Sequence, residues 1–376
     1  MNRTLLHTPE GVKDCYGKEY AIRRLVEEKI HASLLSYGYE DILTPSFEFF
    51  DVFSREVGTI PSNELYKFFD KDNRTLVLRP DFTPSIARCA AKYFMEEDVP
   101  RRFCYHGNVF TNTSALQGKL CEETQMGAEL IEDPSVQADA EMIALVVDAL
   151  RSAGLAEFQI SIGQVDFFKG LCEEAGLSTE TELALREYIS GKNIFAAQEL
   201  LEQAKTPSEY AEKLLQIGNS FEDHGNFTAL RSNVKNARSL RALDRLEDLH
   251  RLLEMYGVSE FVSFDLGMLS KYNYYTGIIF KAFTYGVGRP VATGGRYDRL
   301  LSHFGKEAAA IGFVVQIDDL IEALSRQKNL PEYEDQRVIV FYDSHDAGQF
   351  RKALEEAREL RKEGKMVVLT PASAQL

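Results

Sequence analysis

Strand-like segments of this chain come in neighbouring pairs, and this arrangement restricts the fold more than any other sequence feature. Tyr66–Arg79 has the pattern of a hairpin with Asp72 and Asn73 in its turn. Two more strands are predicted at Arg102–Phe110 and Cys121–Ile131. Strands joined by short connections pair antiparallel, because a parallel pair needs a long crossover. The chain is therefore predicted to be an α+β protein with a mostly antiparallel sheet flanked by helices on one face.

Helical segments precede and divide these strands. Apolar residues at helical spacing predict helices at Tyr20–Tyr37 and Val136–Ala153, with Ser135 as the N-cap of the second and Gly154 as its stop. From about Leu177 to Tyr256 the chain is rich in Glu, Leu, Ala, Lys and Arg. That stretch is predicted to be a helical insertion, because it has few strand-forming residues.

Strand character returns after the insertion. The three predicted strands are Glu260–Phe264, Gly277–Phe283 and Pro290–Thr293. A loop at Gly294–Asp298 is expected to lead into the apolar run Ala308–Val315. These segments are expected to join the strands of the first third in one sheet.

The C-terminal end of the chain differs in organisation from the rest. Residues 1–326 are predicted to form one core domain, with the helical insertion at about 177–256. The polar segment 327–335 contains a proline and is predicted to be a linker. Residues 336–376 have a strand–helix–strand pattern, and this α/β unit is too small to bury both of its faces alone.

The net charge makes nucleic acid an unfavourable partner. The chain has 43 Lys and Arg residues against 58 Asp and Glu residues, which gives a net charge of −15 at pH 7. A surface of this sign repels the phosphate backbone of nucleic acids. We therefore expect no nucleic-acid partner.

Motif patterns assign no catalytic residue, metal site or cofactor. The five cysteines are odd in number and form no Cys-x-x-Cys pair, and the seven histidines never fall at metal-ligand spacing. Phosphate-binding glycine loops and nucleophile motifs are lacking. No apolar run is long enough to span a bilayer or to act as a signal peptide, so we expect a cytoplasmic protein with reduced thiols.

Polar residues occur where buried strands are expected. Gln125 and Glu129 lie on one face of their strand by the period-2 rule, and such groups are costly to bury without partners. Individually they are also typical of a solvated strand face or a turn cap. Together with Asp81 and other polar residues near strand ends, they could line a pocket for a small cationic ligand. The residues proposed from this pattern are Asp81, Thr83, Gln125, Glu129, Tyr274 and Tyr275.

Six segments of the chain resemble the histidyl-tRNA synthetases, which are class II aminoacyl-tRNA synthetases. The resemblance runs in the same order along roughly residues 8 to 325 and implies the synthetase-like antiparallel sheet, with dimerisation through the first two segments. In that family the C-terminal region is a full anticodon-binding domain, and of that domain we expect here a first strand, a helix and a second strand. The segments are Pro9–Asp14, Tyr37–Glu48, Leu78–Thr83, Phe110–Glu129, Tyr274–Gly277 and Gly294–Asp298.

The departures from that family fall on its catalytic arginines. Thr111, Ser270 and Asp319 stand where the synthetases have arginines that hold ATP and the adenylate, and Gln316 replaces a motif glycine. Losing one such donor costs about 3–4 kcal/mol of transition-state stabilisation. The resemblance without the arginines implies a chain that cannot form an adenylate.

A synthetase-like body without these arginines resembles the regulatory subunits of ATP phosphoribosyltransferase. That resemblance implies a non-catalytic chain that a short-form catalytic subunit needs for activity. It also implies feedback inhibition by L-histidine in the first step of histidine biosynthesis, and a hetero-octamer in which these chains are homodimers.

The same resemblance implies a role for each residue of a histidine site. Glu129 would accept from the imidazole N–H, and Tyr275 would contact the other ring nitrogen. Asp81, Thr83 and Gln125 would hold the α-ammonium group. Tyr274 and Tyr297 would form the walls of the pocket. Asp81 is one methylene shorter than the family's glutamate, and Ser270 leaves the ligand carboxylate without its usual arginine. The full set is Asp81, Thr83, Gln125, Glu129, Tyr274, Tyr275 and Tyr297.

Two other interpretations fit the same sequence. One is a divergent synthetase-like ligase, which would need an arginine from elsewhere, with Arg296, Arg299 and Arg326 as candidates. The other is an interaction protein that keeps only the dimer fold, with a degenerate pocket.

Overall fold

The computed structural model divides the chain into two compact units, Met1–Leu330 and Pro331–Leu376. The division falls inside the segment predicted to be a linker. Three predicted segments lie partly outside the described residues: residues 114–119 of Phe110–Glu129, residues 220–226 and 233 of the helical insertion, and residues 373–376 of the C-terminal unit. The structure describes residues 6–53, 60–113, 120–219, 227–232, 234–270 and 274–372.

The first unit contains strands on both sides of a largely helical middle. Its strands are β1 (Glu40–Asp41), β2 (Phe47–Phe49), β3 (Lys67–Phe69), β4 (Thr75–Leu78), β5 (Arg101–Phe110), β6 (Glu122–Ile131), β7 (Gln159–Gln164), β8 (Val262–Phe264), β9 (Ile278–Phe283), β10 (Ala292–Arg296) and β11 (Ala310–Gln316). Its helices are α1 (Gly17–Ser36), α2 (Thr83–Tyr93), α3 (Val136–Ser152), α4 (Val165–Glu174), α5 (Thr179–Ser190), α6 (Ile194–Gln203), α7 (Ser208–Asn219), α8 (Thr228–Ser232), α9 (Ala237–Tyr256) and α10 (Ile317–Gln327).

An eight-stranded sheet forms the centre of this unit, in the order β1-β5-β6-β11-β10-β9-β7-β8. The five inner pairings are antiparallel, and only the outer pairs β1–β5 and β7–β8 are parallel. A separate three-stranded antiparallel sheet has the order β2-β4-β3. The prediction of a mostly antiparallel sheet is confirmed.

Local sequence signals placed several elements correctly. Helix α3 begins after Ser135, whose Oγ accepts from the Ala138 N–H at 3.2 Å, and the chain leaves the helix through Gly154 with φ +104°. Asn73 has φ 59° in the β3–β4 turn, a left-handed conformation that asparagine tolerates. Because α3 carries apolar residues almost all round, it is buried between the sheet and helices α1 and α9.

The predicted loop at Gly294–Asp298 was wrong, since most of it belongs to strand β10. Two glycines usually indicate a turn, but here they let neighbouring strands approach. A Cβ on Gly294 would overlap the carbonyl oxygen of Gly312, and one on Gly295 would lie 2.7 Å from the carbonyl oxygen of Ile278. The sequence prediction also did not include β7, α2 and α4.

The stretch predicted as a helical insertion contains α5 to α9 in its described part and no strand there. Helix α9 packs on α4 and α3, so the insertion is continuous with the core of the first unit. Within the described residues, none of the helices combines the length and the apolar character that crossing a membrane requires.

The second unit has the predicted strand–helix–strand order. Its elements are β12 (Val338–Tyr342), α11 (Ala347–Lys362) and β13 (Val367–Pro371), and the two strands pair in parallel. Ala353 and Ala357 of α11 are buried, whereas Ile339 and Phe341 on β12 are exposed. The unit therefore covers part of its own apolar surface and leaves the rest in solvent.

Candidate functional site

A cavity of about 1410 Å³ lies over the middle of the eight-stranded sheet. Its floor contains a row in which Glu129 on β6 is paired with Gly312 on β11, and Gly312 with Gly295 on β10. Because they carry no side chain, these glycines leave room for the Glu129 carboxylate beside Gly312 and the Tyr275 ring beside Gly295. All seven residues predicted for the site line this cavity: Asp81, Thr83, Gln125, Glu129, Tyr274, Tyr275 and Tyr297.

Glu129 is the most deeply buried acidic group among the described residues of this cavity, with only 1% of its surface exposed. Its Oε1 accepts from the Thr83 hydroxyl at 2.7 Å, and its Oε2 accepts from the Tyr297 hydroxyl. A Cβ on Gly312 would overlap Oε2, so a glycine is required there. Two hydroxyl donors therefore hold the carboxylate in one orientation.

Burial raises the pKa of Glu129 to about 8. The hydrogen bonds from Tyr297 and Thr83 lower this pKa, and the charge of Asp81 raises it further, so desolvation decides the direction. A carboxyl group with this pKa is protonated in most molecules of the ligand-free protein at neutral pH. A donor that approaches Glu129 would favour its ionised form.

Aromatic rings form the walls around Glu129. The ring centroids of Tyr274 and Tyr275 are 4.5 Å apart, and those of Tyr274 and Tyr297 are 6.2 Å apart with the rings nearly perpendicular. Tyr105, which the sequence prediction did not include, also lines the cavity and stacks on Phe82. It falls in the predicted strand Arg102–Phe110, but that position did not show which side chains it would contact.

Acceptor groups for an ammonium ligand lie on the neighbouring part of the floor. The Asp81 carboxylate accepts from the Thr83 N–H at 3.1 Å, at the start of α2. The Gln125 side chain is buried and donates from Nε2 to Gln316 Oε1 at 3.3 Å. Its buried Oε1 accepts no hydrogen bond from the described residues, which is unfavourable unless a ligand donates to it.

The four positions that depart from the synthetase pattern also line this cavity. None of the four residues is an arginine. The Asp319 carboxylate lies 2.6 Å from the guanidinium group of Arg289. Arg289 also lies 3.4 Å from Glu123. Burial raises the pKa of Asp319, although Arg289 opposes this. Of the four positions, one carries a carboxylate and none carries the cation that a triphosphate would need there. The four departing residues are Thr111, Ser270, Gln316 and Asp319.

The arginines named for the ligase interpretation lie away from the cavity lining. Arg296 is buried and its guanidinium binds Asp139 and Asp298. Arg299 is exposed, and Arg326 pairs with Glu322 on α10. None of these three is among the described residues that line the cavity.

Three potential metal ligands meet elsewhere, although sequence spacing gave no sign of them. His31 Nε2 lies 2.8 Å from Asp41 Oδ1, and the Cys104 thiol lies 3.5 Å from the same oxygen. Burial, with a contribution from Asp41, raises the pKa of Cys104 to about 12. We interpret the cluster as a hydrogen-bonded contact between α1, β1 and β5.

Comparison with known proteins gives consistent results along the chain. The model of the histidyl-tRNA synthetase family matches residues 11–320. Two curated relatives are each 41% identical and are named ATP phosphoribosyltransferase regulatory subunit. The one from Ruminiclostridium cellulolyticum matches over 96% of this chain and 86% of its own length, and the one from Acetivibrio thermocellus over 96% and 85%.

Solved structures agree with these relatives. A structure described as an ATP phosphoribosyltransferase regulatory subunit/histidyl-tRNA synthetase from Bacillus halodurans has a TM-score of 0.88 and 32% identity, and covers 98% of this chain and 93% of that one. Histidyl-tRNA synthetase from Nostoc has a TM-score of 0.79 at 20% identity, covering 96% and 85%, and supports the fold alone. The chain belongs to the family of ATP phosphoribosyltransferase regulatory subunits, which has the class II synthetase fold.

Proposed function

We propose that this chain is the regulatory subunit that a short-form ATP phosphoribosyltransferase needs for activity and that confers feedback inhibition by L-histidine. Family membership supports the regulatory role. The observation that carries the histidine part is the buried Glu129 carboxylate, held by Thr83 and Tyr297 at the centre of a cavity without synthetase arginines. The proposal places this chain at the first step of histidine biosynthesis.

The cavity matches the polar groups of histidine. Glu129 accepts from one imidazole N–H, and the Tyr275 hydroxyl contacts the other ring nitrogen. Asp81, Thr83 and the otherwise unpaired Gln125 Oε1 accept from the ammonium group. Tyr274 and Tyr297 pack on either side of the ring. Each buried acceptor then gains a donor, and that lowers the cost of burying it.

The same cavity disfavours a ligase. Nucleotide activation needs cations against the developing charge of the phosphates. Arg289 is the arginine among the described lining residues, and it is already bound to Asp319 and Glu123. We therefore propose that the chain has no ATP–pyrophosphate exchange activity. Histidine-dependent exchange by the purified chain would favour the divergent ligase instead.

An exposed aromatic patch supports assembly into homodimers. Phe47, Phe49 and Phe68 lie on the three-stranded sheet, and Phe47 and Phe68 meet edge to face at 5.8 Å. Such a group on a surface is typical of a protein contact. Phe47 also lies in the segment that resembles the synthetase dimer region. We propose that these chains form homodimers through this region and join the catalytic subunits as a hetero-octamer.

Titrating the chain into a short-form catalytic subunit tests the proposed function. Formation of phosphoribosyl-ATP is expected to appear as the chain is added, to saturate at equal subunit numbers, and to fall when histidine is added. Light scattering on the same mixture is expected to give the mass of four chains of each kind. Activity that appears but ignores histidine would leave an activator with a degenerate pocket, and no activation would reject the regulatory assignment.

The pKa of Glu129 predicts how histidine binding depends on pH. Because this pKa is about 8 in the free chain, a neutral imidazole that donates to Glu129 must displace a proton. The affinity is expected to rise by up to about tenfold per pH unit between pH 6.5, the ordinary pKa of imidazole, and pH 8. Calorimetry in two buffers of different ionisation enthalpy measures both affinity and proton release. A flat affinity without proton release would contradict this role of Glu129.

A further inference from the structure

The proposed histidine site has acceptors for N–H groups but lacks the family's partner for the ligand carboxylate. Glu129, Asp81 and Gln125 Oε1 are all acceptors, so none of them can bind a carboxylate. The position of the usual arginine is Ser270, which is buried and uncharged. A zwitterionic amino acid would leave its carboxylate without a cation unless another residue supplies one, and burying such a charge alone is costly.

Three cationic side chains are among the described residues that line the cavity, namely Lys67, Lys281 and Arg289. Arg289 lies outside the strands, in the connection between β9 and β10. Lys67 is on β3, in the separate three-stranded sheet. Lys281 is on β9. Of the three cationic residues, it therefore lies on the eight-stranded sheet that forms the floor of the proposed site.

The strand register places Lys281 at a suitable distance from Glu129. Ile279 pairs with Gly295, Gly295 with Gly312, and Gly312 with Glu129, which defines one row across four strands. Lys281 lies two residues beyond Ile279, so its side chain lies on the same face of the sheet as those of Ile279 and Glu129. Three strand spacings, about 14 Å, and two residues along the strand, about 7 Å, separate the Cα atoms of Glu129 and Lys281 by roughly 16 Å, which a lysine side chain, one amino acid and a glutamate side chain can bridge together.

We propose that Lys281 binds the α-carboxylate of the ligand and replaces the missing arginine. This inference rests on the proposed function, because it assigns the remaining charged group of the same ligand. Lys281 then acts as a specificity residue. It makes the site selective for the free amino acid over imidazole compounds in which the carboxylate is reduced or removed.

Calorimetry with two ligands tests this assignment when each ligand is measured on the unaltered chain and on a Lys281 variant. L-Histidinol differs from L-histidine in having a hydroxymethyl group in place of the carboxylate. The unaltered chain is expected to bind histidine about 10- to 100-fold more tightly than histidinol, the range for a hydrogen bond between charged groups. Lys281→Met is expected to lower the affinity for histidine to that for histidinol and to change histidinol binding little. Lys281→Arg should keep most of the preference.

Lys67→Met is the matched control, because it removes the other lysine of the cavity lining, and it should keep the preference for histidine. Equal weakening of both ligands by Lys281→Met would show a merely structural role and overturn the assignment. A preference that survives Lys281→Met, or that disappears in Arg289→Met instead, would overturn it as well. If the unaltered chain does not bind histidine at all, the proposed function itself fails.

Discussion

Replacing Glu129 with glutamine is expected to weaken histidine binding by about 100-fold and to abolish histidine inhibition of the assembled enzyme. A hydrogen bond to a charged group contributes about 1.5–3 kcal/mol, and the upper value applies to a carboxylate as buried as this one. Glutamine keeps the shape but loses the charge, and its NH₂ group faces one of the two hydroxyl donors, Thr83 or Tyr297. Calorimetry with histidine, and activity with a short-form catalytic subunit, measure the two effects.

Activation of the catalytic subunit should survive this substitution, since the change is confined to the cavity floor. Glu123→Gln is the matched control, because it makes the same replacement on the same strand and in the same cavity. It should leave histidine affinity within about threefold of the original, because this carboxylate is partly exposed and already bound to Arg289. If Glu129→Gln retains full histidine sensitivity, the chain is an interaction protein with a degenerate pocket or has its sensor elsewhere.

The Glu129→Gln chain should also remain well folded. Because the folded-state pKa of Glu129 is raised from 4.5 to about 8, the native chain holds this proton more tightly than the unfolded chain does. The group therefore opposes folding increasingly as pH rises from 4.5 to 8. Glutamine has no proton to lose, so the melting temperature of the variant at pH 8 should be no lower. Lost binding with unchanged melting would separate a ligand contact from misfolding.

Arg296→Met is expected to lower the free energy of unfolding by about 3–5 kcal/mol, the cost of removing one partner from a buried ion pair. Arg296 donates from Nε to Asp139 Oδ1 at 2.7 Å, and Asp139 is fully buried. The same guanidinium donates to the carbonyl oxygens of Asp133 and Ser135. Arg296 thus ties the end of β10 to the start of α3, and methionine leaves one buried carboxylate and two partly buried carbonyl oxygens with fewer donors.

Urea denaturation followed by fluorescence or circular dichroism measures this loss. Arg245 binds the other oxygen of Asp139 at 2.6 Å but is partly exposed, so Arg245→Met should cost less than Arg296→Met. Arg326→Met removes an exposed arginine and should change stability by less than about 0.5 kcal/mol. A loss under about 1 kcal/mol for Arg296→Met would show that the buried network does not hold the two elements together. Arg296 would then be free for another role.

Short-range signals in the sequence were sufficient for much of the fold. The hairpin at β3–β4, the limits of α3 and the strands β5 and β6 follow from turn residues, caps and periodicity. The two glycines at Gly294 and Gly295 misled the prediction, because their effect depends on neighbours. In this fold the approach of Gly312 and Ile278 makes them strand residues.

The candidate site shows the same limit. Period-2 spacing and family resemblance were enough to propose Glu129 and Gln125 as members of a pocket. They did not identify Lys281 or Arg289, and they did not show that Gly312 makes room for the Glu129 carboxylate.

Residue types at fixed spacing along the chain were sufficient to predict the order of most elements, the antiparallel character of the sheet, the family resemblance and the loss of the synthetase arginines. The position of β11 between β6 and β10 is a property of the folded chain, and this position lets Tyr297 reach Glu129 across 168 residues. Local propensity carries no information on such pairings, because they form through long-range strand register and shared burial.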